Sequence, residues 1–104
     1  MRITNLQYVH FFIKEREYIF SVASILSVEL DRNVILINLK LENDKSIADL
    51  SSFFDTIAFQ DIILFLGFYN KKTLEDEVVS ANVNFINSLL STGQLTLNFE
   101  RKES

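Results

Sequence analysis

Histidine occurs once in this chain, at position 10. Chemistry that needs two imidazoles is therefore excluded, and His10 can act only as a lone general base, a single ligand or a pH-responsive group. It stands between Val9 and Phe11 in an aromatic, β-branched run, the setting of a histidine on a sheet face or at a subunit contact. Carboxylates are the other reactive groups. Glu75, Asp76 and Glu77 are consecutive, and Glu42 and Asp44 flank a polar break. Neither spacing alternates oxygen ligands around a required glycine as an EF-hand loop does. With Thr73 as a cap, Glu75–Glu77 reads as the solvated start of a helix, where negative charge meets the exposed amide ends.

Cysteine is absent, which removes disulfides, thiolate nucleophiles and thiolate metal centres in one count. Glycine occurs only at positions 67 and 93, too few for a P-loop, a dinucleotide fingerprint or a nucleophile elbow. The serines sit in no nucleophile motif that would tie one of them to His10. An enzyme built from two distant carboxylates is the one catalytic design left, and it stands last among the alternatives. No catalytic residue, cofactor site or metal site is assigned. Ten Lys+Arg against fourteen Asp+Glu leave a net charge of −4, which argues against binding to duplex nucleic acid. Tyr8, Phe12, Tyr18 and Phe20 would make a stacking platform for single strands if exposed together. The charges beside them, Lys14-Glu15-Arg16-Glu17, cancel, so core packing is the preferred reading.

The elements that must position these residues follow from periodicity. Leu6–Lys14 and Tyr18–Val22 read as a first β-hairpin across the charged tetrad. Leu26, Val28 and Leu30, then Ile35, Ile37, Leu39 and Leu41, alternate with mostly polar neighbours on either side of Asp31-Arg32-Asn33, the clearest hairpin in the chain. Ser46 with Asp49 resembles a capping box, followed by Ile47, Leu50, Phe53, Phe54, Ile57 and Ala58 at helical spacing. Ile62–Tyr69 is apolar on every face and is read as a central strand. From Leu74 to Leu89 two patterns compete: Leu74, Val78, Ala81, Phe85 and Leu89 form a helical stripe, while Val79, Ala81, Val83 and Phe85 alternate strictly with polar residues. The acidic cap and Gly93 favour a helix. Leu95, Leu97 and Phe99 form a last strand, before a charged tail at 101–104 that is expected to fray.

The expectation is thus a single α+β domain over residues 1–104, with N-terminal antiparallel hairpins, one or two helices on the sheet and a C-terminal strand. Reading 78–86 as strand would make it mainly β with one helix. Length fits one domain, and 48% apolar residues with ten phenylalanines are a globular composition. The N-terminus lacks a signal-peptide core and no apolar run approaches the roughly 20 residues of a spanning helix, so a cytoplasmic protein is expected. Residues with AT-rich codons dominate, pointing to an AT-rich phage or mobile-element genome. Leu6–Ile13 is apolar on both faces, as though each is covered, one by helices and the other by a second subunit. The functional expectation is a non-catalytic, dimeric protein-interaction module: an inhibitor, assembly factor or accessory component. Its candidate contact residues are Tyr8, His10, Phe12, Glu75, Asp76 and Glu77. The alternative is a structural subunit of a virion or secretion apparatus built by sheet augmentation.

Overall fold

The computed structural model describes residues 1–3, 5–40, 44–57, 60–91 and 93–102. The strongest alternating segments become strands: β1 (Arg2–Ile3), β2 (Leu6–Ile13), β3 (Arg16–Phe20), β4 (Ile25–Leu30), β5 (Val34–Lys40), β6 (Ile62–Asn70), β7 (Glu75–Ser91) and β8 (Gln94–Arg101). One helix, α1 (Asp44–Thr56), joins β5 to β6. All pairings are antiparallel, in the order β1-β4-β5-β8-β7-β6-β2-β3.

The sheet curls into a half-barrel. The first thirteen residues show why: β1 pairs with β4, and shortly afterwards the Asn5 carbonyl accepts from the Tyr69 amide and β2 runs along β6. One segment therefore borders strands from opposite ends of the sheet, which a flat sheet cannot do.

The concave face is the core. Alternate residues point into it from every long strand: Val9, Phe11 and Ile13; Ile35, Ile37 and Leu39; Ile62, Leu64 and Leu66; Ala81, Val83 and Phe85; Leu95, Leu97 and Phe99. Helix α1 lies over this face and inserts Phe54, whose ring sits 5.0 Å from Phe85 and 5.7 Å from both Phe11 and Phe99. The sheet alone would leave this row wet.

These findings correct the α+β expectation. Among the described residues the molecule is mostly antiparallel sheet with a single α-helix. The segment expected as a second helix, with Glu75–Glu77 as its start, is the seventeen-residue strand β7. Strict alternation from 79 to 85 matches the two faces of that strand, because β6 supplies backbone partners as far as Val83 and β8 supplies them from Val83 onward. An isolated helix there would have had only its own bonds, and tertiary pairing overrides so weak a local preference. Gly93, expected as a helix end, has φ +71° in the β7–β8 turn instead.

The real helix starts at Asp44, so Ser46 lies inside it rather than capping it. Leu41, Glu42 and Asn43, read as a strand end and polar break, lie outside the described residues, as do Ala58 at the helix end and Glu103 and Ser104 of the tail. Arg101 closes β8, and the Lys102 amide donates to the Asn82 carbonyl. Among the described residues no helix is long and apolar enough to cross a membrane.

Candidate functional site

The convex face of the sheet divides into two unlike halves. Across β4, β5 and β8 it is polar: Ser27, Asn38 and Thr96 stand in register, with Asn38 donating to the Ser27 hydroxyl at 2.9 Å and accepting from Thr96 at 2.7 Å. These three side chains satisfy one another across the strands, while the neighbouring Asn98 keeps a buried Oδ1 without a partner among the described residues.

Across β3, β2, β6 and β7 the convex face carries apolar side chains grouped among polar ones. One cross-strand row runs Ile19, His10, Phe65, Ser80 and the next Glu17, Phe12, Ile63, Asn82, while Tyr8 and Val78 flank Gly67 in a third. Phe12 and Phe65 meet edge to face at 5.4 Å. Ile19 keeps 66% and Val78 59% of its surface in solvent, and Ile63 is also exposed. Strands β2 and β6 are thus apolar on both faces, with the concave side covered and the convex side bare.

Each expected contact residue has a place here. Tyr8, His10 and Phe12 come together along the convex side of β2, each half-buried. The His10 Nδ1 lies 3.2 Å from Glu17 Oε1, and its ring centre is 4.8 Å from that of Tyr8, so neighbours on the sheet orient the imidazole. Tyr8 owes its position to Gly67: a β-carbon at Gly67 would overlap the Tyr8 ring. Glu75, Asp76 and Glu77 open β7, with Asp76 at the end of the same face and Glu75 and Glu77 on the opposite one. Gln7 donates to Asp76 at 2.8 Å and Asn70 to Glu77 at 2.9 Å, tying the acidic segment to β2 and β6. Sequence reasoning missed Ile19, Ile63, Phe65 and Val78. The signal was the 62–69 run: a strand apolar at every position must show apolar side chains on whichever face the core does not use.

The chain matches no family model, no curated protein and no solved structure. What the arrangement can do must come from its geometry. Among the described residues no three His, Asp or Glu side chains gather closely enough to hold a metal ion. A cleft of about 420 Å³ between α1 and the sheet, with Phe20, Leu39, Leu50 and Phe53 in its walls, has Asp49 as its only ionisable group among the described residues. A second apolar spot, Ile86, Leu89 and Leu90, lies at the far end of β7. The convex face is distinguished from both by joining apolar area, aromatic rings and flanking charge on a rigid sheet.

Proposed function

We propose that this protein is a non-catalytic protein-binding module, acting as an inhibitor, assembly factor or accessory component, and that it docks through the convex face of β3–β2–β6–β7. The observation that carries this reading is the patch of Phe12, Ile63, Phe65 and Ile19, apolar groups from two adjacent cross-strand rows on a sheet whose other half carries the hydrogen-bonded Ser27, Asn38 and Thr96. Exposed apolar patches on a folded domain mark interaction surfaces, and aromatic anchors set in a rigid frame are what such surfaces use for affinity. We place the activity in the cytoplasm, where a domain without cysteine needs no disulfide framework.

The test is capture of a partner from the native host by wild type and by the double variant Ile19→Lys/Ile63→Lys. Both positions are exposed, so stability should change by no more than about 0.5 kcal/mol per site, while partner recovery should be lost. Equal recovery by a correctly folded variant removes the face from consideration. Light scattering over a dilution series assigns the occupant. A dimer dissolved by the double variant gives the face to a second copy, and a persistent monomer leaves it to another protein.

A further inference from the structure

Strand β7 is longer than either neighbour. Its first half, through Val83, pairs with β6, and its second half, from Val83, pairs with β8. From Glu75 to Ala81 the edge on the β8 side has no partner strand among the described residues. The register fixes which backbone groups are left over. Asn82 turns its carbonyl to that side, where it accepts from Lys102 at 2.9 Å. Backbone direction alternates along a strand, so Asp76, Val78 and Ser80 direct both N–H and C=O into the slot that β8 vacates, and all three residues are exposed. No proline or bulge interrupts this stretch, and the charges that border it, Glu75, Asp76 and Glu77, are all negative, so they turn away an acidic strand and not a basic one.

We propose that this slot receives an extended, basic segment of the partner protein as an added strand, continuing the line of β8 antiparallel to β7. The inference rests on the protein-binding reading above and specifies the partner's chemistry. Three consecutive carboxylates, Glu75, Asp76 and Glu77, border the slot, so lysine or arginine alternating with small apolar residues complements it. A second copy fits less well, because pairing β7 with itself brings six carboxylates to one seam. Among the described residues the β3 edge is also open, but Arg16 and Glu17 there cancel and favour a partner of neither sign.

The probe is a fluorescein-labelled seven-residue peptide alternating lysine and valine, with a glutamate–valine peptide as its counterpart. The basic peptide binds with a dissociation constant below about 1 mM, weakens as salt rises, and slows hydrogen exchange at the amides of Asp76, Val78 and Ser80. Ser80→Pro removes one slot-facing N–H without touching the β6 ladder and lowers affinity at least about tenfold. Val78→Pro serves the same purpose should Ser80→Pro fail to fold. Absence of binding, binding without protection at those three amides, indifference to the folded proline variant, or equal binding of the acidic peptide each overturns the strand-addition proposal. Native-partner capture separates the two levels. Loss with Ile19→Lys/Ile63→Lys but not with Ser80→Pro retains the docking face and rejects the added strand, and loss with neither rejects both.

Discussion

Gly67 and Lys14 mark opposite uses of backbone freedom. At Gly67 the missing side chain makes room for the Tyr8 ring, which seals the convex side of β6 where Tyr8 and Gly67 pair. Gly67→Ala forces the ring away or the strands apart, and overpacking of this kind costs about 1–3 kcal/mol. A thermal melt should register that loss, and Tyr8→Ala in the same chain should relieve the clash, leaving the pair less destabilised than the sum of the singles. Lys14 has φ 58° in the two-residue turn between Ile13 and Arg16, a conformation that costs a non-glycine residue of order 1 kcal/mol. Lys14→Gly should therefore raise stability by about that amount, read as a higher denaturant midpoint at unchanged slope. Phe54 is the residue on which the core converges, touching rings from β2, β7 and β8 while fully buried. Phe54→Ala should cost about 3–5 kcal/mol, enough to consume much of a small domain's stability.

Among the elements, β7 is the most consequential. Its odd-numbered residues from 75 to 81 face β6 with their backbone groups, while Asp76, Val78 and Ser80 face the open slot. Two adjacent proline substitutions should then differ sharply. Val79→Pro breaks a ladder bond to β6 and should cost about 3 kcal/mol or more, whereas Ser80→Pro should leave the circular dichroism spectrum and melting midpoint nearly unchanged. This alternation also explains what the sequence made legible. Val9–Phe11–Ile13, Ile35–Ile37–Leu39 and Leu95–Leu97–Phe99 are core positions readable from period two alone, and each is buried. The 74–89 segment satisfied a helical and a strand period at once, and what decides between them is a pair of neighbouring strands, one on either side, that no local pattern contains. The candidate site was half legible for the same reason. Tyr8, His10 and Phe12 share a face by spacing within one strand, but Ile19, Ile63 and Val78 join them only through cross-strand register. The acidic run was seen and its setting misread, since negative charge suits a helix start as readily as it suits an open strand edge.

At the scale of the whole molecule, the two halves of the chain are interleaved. Strands from before the helix occupy both ends of the sheet, and β8-β7-β6 fill its middle. Val9 pairs with Leu66 and Ile37 with Leu97, so each half completes its ladders only with the other. The central three strands make a continuous meander, yet alone they would expose Leu64, Leu66, Val83, Phe85, Leu97 and Phe99, which the folded chain buries against β2, β5 and Phe54. Burying such side chains is worth about 1.5–3 kcal/mol each, more than a lone meander can forgo. The molecule should accordingly unfold as one cooperative unit, and separately produced fragments 1–57 and 58–104 should each lack the β-sheet circular dichroism signal. Mixed in equal amounts, they should recover it together with native-like hydrogen-exchange protection at β2 and β6. Pairings this distant in sequence also carry a high loop-closure cost, so refolding of the intact chain should fall in the millisecond-to-second range, roughly that of all-β domains. A fragment 58–104 that folds alone, or microsecond refolding of the intact chain, would show that the central meander is an independent nucleus to which the flanking strands merely dock. The convex face, built jointly by β3 and β2 from one half and β6 and β7 from the other, exists only if the two halves assemble. Partner binding and reconstitution should therefore rise together as one fragment is titrated with the other.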